Sequence, residues 1–241
     1  MTKEGNAISG RAGVQSVALL LIGGALVRTA WTGTYVRYVK PGLHWPLLVA
    51  GAVLVAVAAV NLVRVFRGAP GEEHHHGRLE PAWLIVAPVL ALLLVAPPAL
   101  GSYAASHGGT ALGSAAGSDF PPLPAGDPVR VSLLEYASRA VFDRGRSLEG
   151  RTVTLSGFIV VSGDARYLTR MIITCCAADA RPVKVGLAGA VPPGVAADTW
   201  LEVTGTYADR TDPDPVDGQP IPYVTVTAAH PIPAPKQPYE S

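Results

Sequence analysis

The sequence predicts a membrane-anchored protein in which N-terminal transmembrane helices, three in number, precede a short helix and a small OB-like β-barrel domain. Three observations carry this reading. The 241-residue chain is 49% hydrophobic and only 15% charged, a balance unusual for one soluble domain. Its apolar residues concentrate before residue 101. Beyond residue 130 the pattern changes to short, alternating, β-branched runs cut by Gly, Pro and Asp. The composition shift places a transmembrane domain at 1–100, a Gly/Ala/Ser/Pro-rich flexible linker at 101–128 and the OB-like β domain at 129–241.

The expected spans lie near 12–36, 46–63 and 81–100. "PLLVAGAVLVAVAAVNLV" (46–63) and "PAWLIVAPVLALLLVAPPAL" (81–100) carry no charge. At the helical rise they extend about 27 and 30 Å, close to the thickness of a hydrocarbon core. The run at 12–36 is interrupted only by Arg28, which can snorkel, and Trp31, Tyr35 and Tyr38 suit an interfacial belt. Lys3 and Arg11 precede it as in a signal peptide, but no small-x-small cleavage site lies ahead of Trp31, so the helix is expected to stay uncleaved. Lys3, Arg11, Arg64, Arg67 and Arg78 outnumber Arg28, Arg37 and Lys40. By the positive-inside rule the N-terminus is cytoplasmic, and three spans put the C-terminal domain outside the cytoplasm. The protein is thus expected in the cell membrane as a multi-pass chain, with the lipid bilayer as its first partner.

Between the second and third spans, "GEEHHHGRLE" holds His74, His75 and His76 beside Glu72 and Glu73. Imidazoles and carboxylates ligate zinc, nickel or copper, but three successive side chains diverge, which suits a loose, exchangeable site or simply a polar loop.

In the C-terminal part Ser132-Leu-Leu-Glu135 has the capping-box pattern, and Leu133, Leu134, Ala137 and Val141 follow at helical spacing with Gly145 as a stop. Five strands are expected over 151–160, 167–176, 181–187, 199–207 and 222–229, with Gly in the first and fourth, as in a small closed barrel. Asp209, Asp212, Asp214 and Asp217 cluster before the fifth strand. Their prolines and the missing bidentate Glu favour a solvated hairpin loop over a calcium site. From residue 130 onward 11 Lys+Arg meet 12 Asp+Glu, so no basic stripe exists for nucleic acid.

The only two cysteines, Cys175 and Cys176, are adjacent in "RMIITCCAADARPV". Neighbouring Cα atoms lie about 3.8 Å apart, below the span of ordinary disulfides, so a bridge within the pair is strained and labile. Where the strand gives way to "AADARP", both sulfurs and Asp179 can converge on one soft or borderline ion, zinc first, leaving a position open. Arg181 is placed to lower a thiol pKa. A redox-active pair and a buried structural pair stay open as alternatives. His230 is the only histidine of the β domain and no nucleophile–base spacing is visible, so no enzymatic activity is expected.

The His-bearing loop, "TCCAADARPV", "WLEVTGTY" and the ending "PIPAPKQPYES" together resemble the YcgQ-like family of bacterial membrane proteins. The resemblance implies the small subunit of a two-component permease, working with a multi-spanning permease related to organoarsenical exporters. Relatives often carry a His-, Cys- and Asp-rich loop between the second and third spans. Here that loop is reduced to His74–His76 without cysteine.

Overall fold

Five of the strands expected from period-two alternation close on themselves. The computed structural model describes residues 2–67, 98–112 and 120–240, with side chains of the first helix from Gln15 onward. Among the described residues the chain forms two units. One holds the N-terminal helices, and the other holds Val36–Lys40 together with the chain from Ala99 onward.

In the first unit α1 (Thr2–Trp31) and α2 (His44–Phe66) pack side by side. Gly23 faces Gly51, and a Cβ on Gly23 would lie 2.9 Å from the Gly51 carbonyl, so the contact requires glycine. The α2 helix is long and apolar enough to cross a membrane, with Val49, Val53, Val57 and Val60 exposed along it. The first expected span, 12–36, is helical as far as Trp31, and its apolar helical part among the described residues is Gln15–Trp31. The helix stops because Gly33 takes a left-handed φ of 72° and Thr32 Oγ1 turns back onto the Arg28 carbonyl. Of the expected third span only Pro98–Leu100 lie among the described residues, and His74–His76 lie outside them.

In the second unit β2 (Thr152–Ser162) pairs antiparallel with β3 (Ala165–Ile172), which pairs antiparallel with β4 (Arg181–Gly189). Strand β4 runs parallel to β6 (Pro220–Pro231), β6 antiparallel to β5 (Trp200–Pro213), and β5 antiparallel back to β2. The result is a closed five-stranded barrel, with the two-residue strands β1 (Val129–Arg130) and β7 (Tyr239–Glu240) added in parallel to β2 and β3. Gly157 in β2 allows close coiling, since a Cβ there would meet the Thr169 carbonyl at 2.6 Å.

Alternation sorts the core. Val153, Leu155, Ile159, Leu168, Val185 and Val203 point inward and meet Leu133, Tyr136 and Ala137 of α4 (Leu133–Phe142). Another helix, α3 (Ser102–His107), lies earlier in the chain. The expected N-cap forms, with Ser132 Oγ accepting the Glu135 N–H. The Glu135 carboxylate, however, turns to Arg139, and the N–H groups of Leu133 and Leu134 donate instead to Glu240 of β7. A carboxylate at this end also faces the positive end of the helix dipole.

Opposite strand positions carry Phe158, Val160, Tyr167, Met171, Ile221 and Tyr223, which are buried too. Their cover is the end of the expected third span together with the start of the expected tether. Ala99, Leu100, Ala104 and Ala105 pack on them, while Thr110 and Leu112 are buried. The Ser102 N–H donates to Asp198, the Thr110 N–H to Asp214, and the Leu100 N–H to the Tyr239 hydroxyl, which itself donates to the Arg37 carbonyl. The stretch is ordered because these outward apolar side chains need a lid. The acidic loop is likewise more than a solvated turn. Asp214 is buried and forms a 2.9 Å ion pair with buried Lys184, whose ammonium also donates to the Gly108 carbonyl.

Lys184→Met leaves the Asp214 carboxylate buried without its counter-charge and should destabilise the second unit by about 3–5 kcal/mol. Adding Asp214→Asn should recover part of that loss, because no charge then stays buried. Urea unfolding of the full chain in detergent, followed by near-UV circular dichroism, checks both.

Candidate functional site

Strand β3 was expected to run to Cys176 but ends at Ile172. Beyond it the Thr174 N–H donates to one oxygen of Asp179 at 2.9 Å and the Cys175 N–H to the other at 2.8 Å. One carboxylate thus takes two donors that would otherwise continue the ladder, and the chain turns through a 3-10 turn, Ala177–Asp179, into β4. Both thiols leave the strand and end on the same side of this turn.

The peptide just after the first helix holds the loop from the other side. Val39 bridges antiparallel to Cys176. The Lys40 N–H donates to the Cys175 carbonyl at 3.0 Å, and the Ala177 N–H donates to the Tyr38 carbonyl at 2.7 Å. The site is therefore completed by residues more than 130 positions away in sequence. The sequence reading assigned Tyr38 to an interfacial belt and missed this role, because a single bridge leaves no periodic signal.

One ligand atom each of Cys175, Cys176 and Asp179 lies within 4.8 Å of the others, and this is the one such group among the described residues. The two sulfurs are 3.7 Å apart and both cysteines are free. Zinc bonded to two sulfurs at about 2.3 Å with a tetrahedral angle needs them about 3.8 Å apart. The pair already has that spacing. A carboxylate oxygen on the same ion needs about 3.5 Å to each sulfur, so Asp179 moves by little more than about 1 Å at most. The donor set therefore fits a borderline divalent ion, and Cys175 is exposed, which leaves room for a fourth ligand.

Cys175, being exposed, does not fit a packed structural pair. Its thiol is pushed up to about 11, first by the Asp179 carboxylate and then by the Cys176 sulfur, both of which favour the protonated form. Asp179 is held down at about 2 by the thiol and by the Thr174 and Cys175 N–H groups. Arg181, expected to lower a thiol pKa, points elsewhere, to the Thr110 carbonyl and the Asp217 carboxylate. The four aspartates of the acidic loop have separate partners: Asp209 with Tyr207, Asp212 with Arg210 and Tyr223, Asp214 with Lys184, and Asp217 with Arg181.

A negative charge beside a thiol raises its pKa, so removing that charge lowers it and raises the thiolate fraction at pH 8. Asp179→Asn should therefore speed alkylation of Cys175 by iodoacetamide about tenfold, the gain in thiolate being partly offset by weaker nucleophilicity. Peptide-level mass spectrometry over a time course checks this, and an unchanged or slower rate contradicts it.

Residues 139–240, from the middle of α4 through β7, match the sequence profile of a family described as the DUF1980 C-terminal domain. No curated protein and no solved structure matches the chain. The matched stretch contains Cys175, Cys176 and Asp179, and it supports the resemblance to the YcgQ-like family drawn from "TCCAADARPV" and the PY ending. The barrel with its Cys-Cys-x-x-Asp loop is thus similar to that C-terminal domain.

Proposed function

We propose that the chain is an accessory subunit of a membrane permease system whose barrel presents Cys175, Cys176 and Asp179 to an exchangeable soft or borderline metal ion, zinc first. The observation that carries this is the sulfur spacing of 3.7 Å with a carboxylate in reach. Two thiolates and one carboxylate satisfy three positions of a tetrahedral ion, and the exposed fourth side admits water or a ligand from a partner. Sites of that kind take up and release ions, whereas structural zinc sites are closed by four protein ligands. Thiol–disulfide exchange is the weaker reading, because reactive thiols have lowered pKa values and that of Cys175 is raised.

The membrane part of the proposal rests on α2 and on connectivity. Lys40 belongs to the barrel unit and α2 begins at His44. A helix that crosses the bilayer from there leaves the chain on the far side, yet the chain rejoins the barrel unit at Ala99. One further crossing is needed, and the charge-free run 81–100 is the available segment. With α1 as a further crossing, Lys3, Arg11, Arg64, Arg67 and Arg78 face the cytoplasm, which supports a multi-pass chain in the cell membrane with its barrel outside the cytoplasm. The partner is a multi-spanning permease, as the family resemblance implies. His74, His75 and His76 then offer a weaker site on the cytoplasmic face. We assign no catalytic role.

Residues 36–40 and 99–112 belong to the barrel unit, so the test uses the full chain in detergent micelles under reducing conditions. Isothermal titration with zinc should show one strong site. Cys175→Ser should weaken it at least about tenfold through loss of one Zn–S bond, and Cys175→Ser with Cys176→Ser should abolish it. Replacing His74, His75 and His76 by alanine should leave it intact. No zinc binding, or equal binding by the double serine variant, overturns the proposal.

A further inference from the structure

The barrel unit has a second cleft, of about 460 Å³, that shares no residue with the cysteine loop. That volume suits a small organic molecule. Strand β3 enters it at Arg166, which by alternation lies on the same face as the inward-pointing Leu168. Arg166 is half-buried. Its Nε is shut off from water and has no hydrogen-bond partner, and no ion pair reaches its guanidinium among the described residues. A guanidinium with no anion beside it can form charge-assisted hydrogen bonds to an acceptor that a ligand brings into the cleft.

The rest of the wall defines the ligand. Arg210 stacks over the Tyr223 ring at 4.0 Å and bonds to Asp212, which also accepts the Tyr223 hydroxyl at 2.6 Å. Those three groups satisfy one another and offer the cleft no free charge. Asp164, on the β2–β3 turn, is exposed and unpaired. One free guanidinium beside the single unpaired carboxylate of Asp164 suits a monoanion better than a doubly charged phosphate. Leu187, Val191, Pro192 and Pro193 form the apolar side, which calls for a ligand with an apolar body. We propose that this cleft binds a small organic carboxylate, its anionic head on the Arg166 guanidinium and its body against Leu187 and the Val191–Pro193 segment.

Benzoate, benzamide and inorganic phosphate, titrated into the isotope-labelled full chain in micelles and followed by amide chemical shifts, test this. Benzoate should bind, with shifts centred on Arg166, Leu187 and Val191, while benzamide and phosphate should each bind at least about tenfold more weakly, as expected for loss of a charge-assisted bond or of the apolar contact. Arg166→Gln should weaken benzoate at least about tenfold. Asp164→Asn, a change on an exposed turn that leaves folding unaffected, should tighten it about two- to threefold by removing a like charge. Cys175→Ser with Cys176→Ser should leave benzoate binding unchanged, so this inference and the metal reading fail separately. No benzoate binding, phosphate or benzamide binding equal to benzoate, or benzoate binding indifferent to both Arg166→Gln and Asp164→Asn overturns the inference.

Discussion

The Asp179 carboxylate is the constraint on which the candidate site depends. By accepting the Thr174 and Cys175 N–H groups it ends β3, starts the 3-10 turn, and swings two adjacent cysteines off a strand that would have sent their side chains to opposite faces. The same group then supplies an oxygen within 4.8 Å of the two sulfurs. Each carboxylate oxygen has a second lone pair, so holding the turn and ligating an ion are compatible. The cost appears in the thiol: a carboxylate this close keeps Cys175 protonated, and an arriving cation must displace that proton. A site that resists ionisation until the ion arrives is poorly suited to redox chemistry and well suited to exchange.

The turn does not stand alone. Its carbonyl at Cys175 and its N–H at Ala177 are taken by the Lys40 and Tyr38 backbone, and Tyr239 fixes the carbonyl of Arg37, the residue before Tyr38. An ion that draws Asp179 toward the sulfurs therefore acts on a loop whose other side is the peptide just ahead of α2. Around it, the Lys184–Asp214 pair pins the Gly108–Thr110 stretch that lies over the barrel. Local chemistry at the cysteines is thus embedded in contacts made by chain segments far apart in sequence.

Much of the barrel was legible in advance. Five strands and a capped helix follow from alternation and from Ser132, because those signals are local and the inward face is mostly apolar. What was not legible is what covers the barrel. The stretch before residue 129 reads as a tether by its small residues, yet Ala104 and Ala105 pack into the apolar cluster that holds Phe158 and Tyr167. Asp214 reads as part of a solvated loop, and only its meeting with Lys184 across the fold explains the burial of both. At the site, Cys175, Cys176 and Asp179 were found by residue type and spacing. The end of β3 was missed by four residues, because the competition between a ladder and a side-chain carboxylate depends on geometry that alternation does not encode.

The central claim is that two adjacent thiols and one carboxylate bind a single ion with a position left open. X-ray absorption at the zinc edge of the zinc-loaded full chain measures that coordination directly. The account predicts two sulfur neighbours at about 2.3 Å and two oxygen or nitrogen neighbours at about 2.0–2.2 Å. A shell with no sulfur, which would place the ion elsewhere on the chain, or one of four sulfurs, which would mean a closed site shared between two chains, contradicts it.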